Sequence, residues 1–447
     1  MTTALTTTAR PPERHRRSRA GRDVLRSNGL LLLTLSAVVS RFVLLSAALV
    51  AIGMLMVAPG LSSSFRFSWV RAASVVVAGW LLYGLAIGSL PSPGAVGRWV
   101  DFFTTEGRAI LPLLVLAAAS SLSSRAVIER TLWRTIVLLV VSAGLALVLD
   151  VLGSSWVGGF RLFHGFTSGH HVPGFLYGLG IVYILIRRPF ATSLLHFGSL
   201  AVLGAAVVSS GSRASLVGLG AVGAYLMLRR ASTGTTKRVL AVAAACILVL
   251  VVSPRFRDTV TSFGSTRITS NAGELFRSRD NVDIAAVATS GAEANVLKRF
   301  GLFGEALDDF VASPFIGRGI YRFNDLDTVP VGVERIVNVD VAGERVHSDL
   351  QAHNMLLQLL SETGLVGTLA FVSVYWLVWR SARGRRLDPD AAQLMLVARA
   401  AIVFSFGVGL TSAALLTAGL GILASVLIGL GASYHRLPYT PRDVSVT

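Results

Sequence analysis

The chain has one cysteine in 447 residues, and that residue, Cys246, lies inside an apolar run. An intrachain disulfide is therefore excluded, and neither a Cys-rich metal site nor a catalytic thiol is suggested. Charge is scarce too: 15% of residues are Asp, Glu, Lys or Arg against 53% hydrophobic, and the mean hydropathy is +0.65. A soluble domain cannot solvate that much apolar surface, so the composition points to a polytopic membrane protein. Acids are the rarer sign, 24 against 41 Lys and Arg, and 14 of the 24 fall within residues 254–352. No repeat of fixed period is visible.

A spanning helix needs about 20 apolar residues, with a range of roughly 17 to 25. Twelve segments qualify, near 28–40, 42–59, 69–90, 108–124, 133–152, 172–186, 192–209, 214–228, 239–253, 355–379, 391–411 and 413–431. Arg41 interrupts the first pair, so 28–59 is either two short helices or one long one. A secretory signal peptide would show one basic region, one apolar stretch and a cleavage site. Here apolar runs continue to residue 431, and the first is expected to be retained.

Short cytoplasmic loops keep Lys and Arg, and translocated ones tend to lose them. With the N-terminus inside, the cytoplasmic segments hold Arg66, Arg71, Arg125, Arg130, Arg134, Arg187, Arg188, Arg229, Arg230, Lys237, Arg238, Arg380, Arg383, Arg385, Arg386, Arg436 and Arg442. The short external segments hold Arg41, Arg98, Arg108, Arg161 and Arg213. Residues 1–27, with seven arginines, read as a disordered basic cytoplasmic tail facing anionic lipid rather than nucleic acid. Spans one to nine occupy 28–253, a long external loop 254–352, spans ten to twelve 353–431, and a second cytoplasmic tail 432–447. Within the loop, Phe300, Phe303, Leu307, Phe310 and Val311 recur at helical spacing until Pro314. This pattern predicts an amphipathic helix near 298–312 at the membrane surface, with Lys298 and Arg299 at its start.

Several residues could carry chemistry. In "VVSSGSRASLVGLG", Arg213 sits at the external edge of the hydrocarbon, a costly position unless an anion meets it. Ser209, Ser210, Gly211 and Ser212 precede it, and a Gly/Ser turn opening a helix offers backbone N–H groups to a phosphate. The alternative is snorkelling to lipid headgroups, and the same choice holds for Arg299, Lys298 and Arg161. His353 is placed in the first turn of a helix, where the positive end of the macrodipole favours a neutral, proton-accepting ring, and Asn354 beside it can orient polar neighbours. His164, His170, His171 and His347 are also external, but adjacent histidines do not share a helical face and no metal-ligand spacing accompanies them. His196 reads as a buried polar contact. Glu362 reads as a helix-end hydrogen-bonder beside a kink at Gly364 or as a functional carboxylate at membrane depth. Fixed cations beside a neutral imidazole describe group transfer from a lipid diphosphate, with no cofactor.

Three stretches, "SGSRASL" at 210–216, "RFGLFGEALDDFVASPFIGRGIYRF" at 299–323 and "HNMLLQLLSETGLVG" at 353–367, resemble the O-antigen ligase and O-antigen polymerase superfamily of bacterial membrane glycosyltransferases. The resemblance implies an all-α membrane bundle of the GT-C type, metal-independent, with an undecaprenyl-diphosphate-linked glycan as donor and a glycan or lipid as acceptor. It implies that Arg213 engages the diphosphate and that Arg299, ahead of Pro314, Gly317 and Gly319, assists it. By the same resemblance His353 activates the acceptor hydroxyl. The segment "RLFHGFTSGHHVPGF" matches the family's Arg–Gly–Pro–Asn-like region only in part, with Pro173 but no following Asn. A flippase for lipid-linked oligosaccharide is the rival from another class; it calls for paired repeats or midplane charges, and Arg399 is the strongest such charge here. A cell-shape type peptidoglycan polymerase would depend on an external acid within motifs that are not found.

Overall fold

Every described element is a helix, the form that satisfies backbone polar groups within a single segment in hydrocarbon. The computed structural model describes residues 13–87, 110–151, 171–229, 291–320, 352–412, 415–416 and 418–437. In chain order the helices are α1 Glu13–Val38, α2 Val43–Ser64, α3 Ser68–Ala86, α4 Ile110–Ala119, α5 Arg125–Val151, α6 His171–Arg187, α7 Ser193–Ser209, α8 Arg213–Leu228, α9 Gly291–Ala312, α10 Met355–Arg380, α11 Pro389–Gly409 and α12 Ala418–Tyr434. Stretches within α2, α3, α5, α10 and α11 are long and apolar enough to cross a membrane, and α4, α6, α7, α8 and α12 are shorter apolar helices. The expected ninth span, 239–253, lies outside the described residues.

The bundle turns apolar residues outward: Leu44, Leu194 and Leu228 are 84%, 83% and 86% exposed. Hydroxyls face inward instead, with Ser27 bonded to Thr131 at 2.7 Å and Trp69 Nε1 donating to Ser120 Oγ at 3.1 Å. Such polarity suits a lipid solvent, where small residues and polar contacts hold helices together. Thus α1 and α2 pack through Gly29 and Gly53, where a Cβ on either would lie 2.8 or 2.9 Å from the other's carbonyl oxygen.

Residues 28–59 form parts of two helices, separated by a turn at 39–42 that contains Arg41. Helix α1 also begins inside the stretch expected to be disordered, and Asp23, Arg26 and Ser27 are buried. Distant polar partners explain the difference. Asp23 Oδ2 accepts from Ser123 N at 3.1 Å and Oγ at 2.6 Å, while Arg26 donates to Ser121 O at 3.3 Å.

Long-range polar contacts define one end of the bundle. Arg125 donates to Asp388 Oδ2 at 2.8 Å and to Leu437 O at 3.0 and 3.2 Å. Arg187, at the end of α6, reaches Asp390 at the start of α11 at 2.6 Å and Glu129 on α5 at 3.1 Å. Helices α6 and α11 therefore run antiparallel. Arg399 also finds its partner at a helix end: Nε and Nη2 donate to Trp379 O at 3.2 and 2.8 Å. That carbonyl belongs to the last turn of α10, whose C=O groups lack intrahelical partners and carry the negative end of the dipole. The guanidinium lies 5.6 Å from the Trp379 ring centroid, and Tyr225, in the last turn of α8, packs on the same ring at 5.3 Å. Arg399 is thus level with the ends of α8 and α10 and serves as a cross-helix cap, not as a charge at the bundle's middle.

Candidate functional site

The opposite end gathers the residues singled out by the sequence. At the start of α6, a Cβ on Gly174 would fall 2.4 Å from Ser212 Cβ and 2.7 Å from Ser215 Oγ, so α6 begins against the turn that opens α8. Because α6 and α11 are antiparallel, the end of α11 lies on this side as well. Asn354 Nδ2 donates to the carbonyl of Leu410, the α11 C-cap, at 3.1 Å. Arg213 at the first position of α8, Asn354 and its neighbour His353 therefore share one end of the bundle.

The 209–213 turn is held by its own hydroxyls. Ser210 Oγ donates to Val207 O at 2.6 Å and accepts from Ser212 N at 3.3 Å, and Gly211 reverses the chain at φ 62°. Ser212 is 2% exposed and its hydroxyl pairs with Ser215 at 2.8 Å. As N-cap it makes no side-chain bond to the first-turn amides of α8. Those amides belong to the positive end of the helix, the usual place for an anion, and the Arg213 side chain is exposed beside them.

Arg299 comes from α9, which begins at Gly291, earlier than the sequence pattern indicated. Its buried face is Leu297, Leu302, Ala306 and Asp309, whereas Phe300, Phe303, Leu307 and Phe310 are only partly covered and Val311 is 73% exposed. One stripe packs on protein and the aromatic one faces outward, as a helix at a membrane surface requires. Burial first, and then the charge of Arg213, hold the Arg299 guanidinium below its ordinary range. The two arginines are within electrostatic reach of each other. Arg299 Nε is buried without a hydrogen-bond partner among the described residues. Arg318, by contrast, is paired with Asp309 at 2.8 Å.

The loop after α9 is spliced into α10. At Gly364 (φ 63°, ψ −168°) the helix breaks. An unbroken helix would bond the amides of Leu365 and Val366 to the carbonyls of Ser361 and Glu362. Instead, Arg318 N and Gly319 N donate to those two carbonyls at 2.9 Å each, while Leu365 N and Val366 N donate to Pro314 O at 2.8 Å and Phe315 O at 3.0 Å. Two helical bonds are exchanged for four to the loop, so the kink predicted at Gly364 leaves none of these groups unpaired. Ser361 Oγ donates to Asp309 Oδ2 at 2.9 Å, joining α10 to α9, and Tyr83 Oη donates to Gly317 O at 2.8 Å, tying the loop to α3.

His353 stands two residues before Met355, the first residue of α10, rather than in its first turn. Asn354 is the N-cap, accepting from Leu356 N at 3.0 Å and Leu357 N at 3.1 Å. His353 itself adopts a left-handed backbone, φ 49°, a conformation that a bulky residue keeps only when its surroundings impose it. Glu362 is 2% exposed and accepts from Gln358 Nε2 at 2.8 Å. His196 is buried edge-on to Phe197, with centroids 5.5 Å apart. Arg161, His164, His170 and His347 lie outside the described residues, and His171 opens α6. Among the described residues no group of three His, Cys, Asp or Glu could hold a metal. The supporting set of Asp309, Arg318, Gln358 and Tyr83 was not singled out from sequence; only the Gln358–Glu362 pair, one helical turn apart, carried a local signal.

Residues 198–372 match the family model described as O-antigen ligase. That segment contains Arg213, Arg299, the spliced loop and His353. No curated protein matches the chain.

Proposed function

We propose, from the match of residues 198–372 to the O-antigen ligase family model, that this chain is a multi-pass bacterial membrane glycosyltransferase of the O-antigen ligase/polymerase superfamily. Its architecture is of the GT-C type with about twelve spans, and both termini are cytoplasmic. The donor is a glycan on undecaprenyl diphosphate, the acceptor a hydroxyl on a glycan or lipid at the external face, and no metal is used. The observation that carries the reading is that Arg213, Asn354 and His353 share one end of the bundle, with Arg299 within electrostatic reach of Arg213.

Two guanidinium groups and the first-turn amides of α8 suit a diphosphate, which Arg can meet with two oxygens at once. In transfer, the acceptor oxygen bonds to the anomeric carbon as the carbon–oxygen bond to the diphosphate breaks. The electron pair leaves with the lipid diphosphate, whose growing charge the arginines stabilise. The hydroxyl proton passes to the His353 imidazole, and Asn354 orients the segment around it. Ser212 shapes the turn that carries Arg213, and Arg161 joins the donor set on family resemblance alone.

Mass spectrometry of lipid-linked and surface glycans, with and without the protein, tests the reaction class. Single repeats accumulating without the protein mark a polymerase, full-length chains stranded on lipid mark a ligase, and unchanged glycans overturn the proposal. His353→Ala will lower turnover by about 10²- to 10⁴-fold, the usual contribution of a general base, and leave donor affinity nearly unchanged. Equal loss of both would make His353 a binding group.

A further inference from the structure

We infer that Gln358 is the positioning residue for His353, holding the backbone just before it from a buried anchor on Glu362. The inference rests on the reading of His353 as the proton acceptor. Hydrogen bonds on both sides of His353 carry it. Glu362 Oε1 accepts from Gln358 Nε2 at 2.8 Å, and Gln358 Oε1 accepts from Ala352 N at 2.8 Å. Ala352 and Gln358 are both 0% exposed and Glu362 2%. On the other side, Asn354 is pinned by the α10 amides and by Leu410 O.

The left-handed residue between these clamps has no choice of direction. An isolated His would leave φ 49° for an ordinary basin at a gain of roughly 1–2 kcal/mol, and hydrogen bonds at both neighbours oppose this. The arrangement extends the usual capping box. In the common form a Glu or Gln at the third helical position reaches back to the N-cap amide; here Gln358, the fourth helical residue, reaches two residues beyond the cap. The backbone N–H of Ala352 can only donate, so the amide turns its carbonyl oxygen there and presents its NH₂ group to Glu362. Glu362 also meets the spliced loop, its backbone carbonyl accepting from Gly319 N. The residues that orient His353 are therefore seated on the loop that follows the Arg299 helix.

The test compares full-length variants in proteoliposomes, using lipid-linked glycan extracted from cells lacking the protein as donor. Donor-site binding is read separately as the thermal shift produced by undecaprenyl diphosphate. Gln358→Leu is expected to lower turnover about 30- to 100-fold, the scale of a misplacement near 1 Å, with the thermal shift retained. The exchange Gln358→Glu with Glu362→Gln keeps both of these hydrogen bonds, the one between the two side chains with its direction reversed. The carboxylate introduced at position 358 would accept both from Ala352 N and from the side-chain amide introduced at position 362. Turnover should then return to within about threefold of the parent, a small misplacement on the same scale. Gln358→Glu alone sets two carboxylates together and should be impaired, and it replaces Gln358→Leu in the comparison if the latter fails to accumulate. Parental turnover in Gln358→Leu, or in its replacement Gln358→Glu, while His353→Ala is inactive overturns the positioning role and leaves the reading of His353 standing. A parallel loss of turnover and thermal shift, or an exchange variant that inserts but stays impaired, also overturns it. Full activity in His353→Ala removes both.

Discussion

Arg213→Ala and Arg299→Ala will each reduce glycan transfer by about 10²- to 10³-fold, the usual effect of deleting one preorganised group that stabilises leaving charge, while the protein remains inserted. The expectation follows from the cost of the pair in the empty protein. Arg299 is partly buried beside another cation, and both effects work against its charged form. Without an anion the pair repels; with a diphosphate bound each arginine meets two negative charges. Removing Arg299 should therefore leave the thermal midpoint of the unliganded protein unchanged or slightly raised, as happens when functional strain is relieved. Ligand linkage gives the complementary sign. Undecaprenyl diphosphate will raise the parent's midpoint by mass action and do so far less in either variant. Because both groups serve one ligand, the double variant should lose much less than the product of the single losses. Arg213→Lys and Arg299→Lys keep the charge but not the planar fork, and should fall between alanine and parent. Transfer that persists in Arg213→Ala would remove that residue from the site. A midpoint that drops in Arg299→Ala would mean that its structural contacts outweigh the repulsion.

Much of the architecture was legible because membrane solubility imposes long apolar runs: eleven of the twelve expected segments overlap described helices, five of which are long and apolar enough to cross a membrane. A helix start at about 353–354 and a kink at Gly364 were also legible, whereas the N-cap role of Asn354, which sets the helix one residue later, was not. What was not legible depends on partners far away in sequence. Residues 23–27 look like a solvated basic tail until Asp23 meets Ser123 and Ser27 meets Thr131. Arg399 looks like a charge stranded in a span until Trp379 O, twenty residues earlier, supplies its acceptor. The placement of His353 outside α10 turns on a single backbone dihedral, below the one- or two-residue accuracy of any boundary read from pattern. Arg161 and the residues 239–253 lie outside the described residues.

Gly364→Ala will leave the bundle inserted and abolish transfer, through rearrangement at one seam rather than global unfolding. At φ 63° and ψ −168° the residue occupies a region open essentially to glycine alone, at a cost of about 1–3 kcal/mol for any other side chain. An added Cβ would also lie 2.4 Å from the backbone carbon of Phe315. Alanine favours helix by up to about 1 kcal/mol over glycine, so α10 would straighten and remake its two interrupted bonds, from Leu365 to Ser361 and from Val366 to Glu362. The loop then loses all four backbone partners at once. Arg318 N and Gly319 N would have to be satisfied elsewhere, each at about 1–3 kcal/mol if left buried and unpaired. Ejection of the loop would also break the Tyr83 contact to Gly317 O and displace α9 with Arg299. Limited proteolysis should therefore gain a cleavage site within 313–320. Gly317→Ala should reproduce the phenotype from the other side of the seam, since its Cβ would lie 2.4 Å from Glu362 C and Thr363 N at φ 70°. The double variant should be no worse than either single one, because one splice is broken in all three. Gly79→Ala, in a helical position with nothing within 4 Å, should retain transfer and stability. Equal loss in Gly79→Ala would show that the bundle as a whole is intolerant. Full transfer in Gly364→Ala would show that the seam does not hold the site.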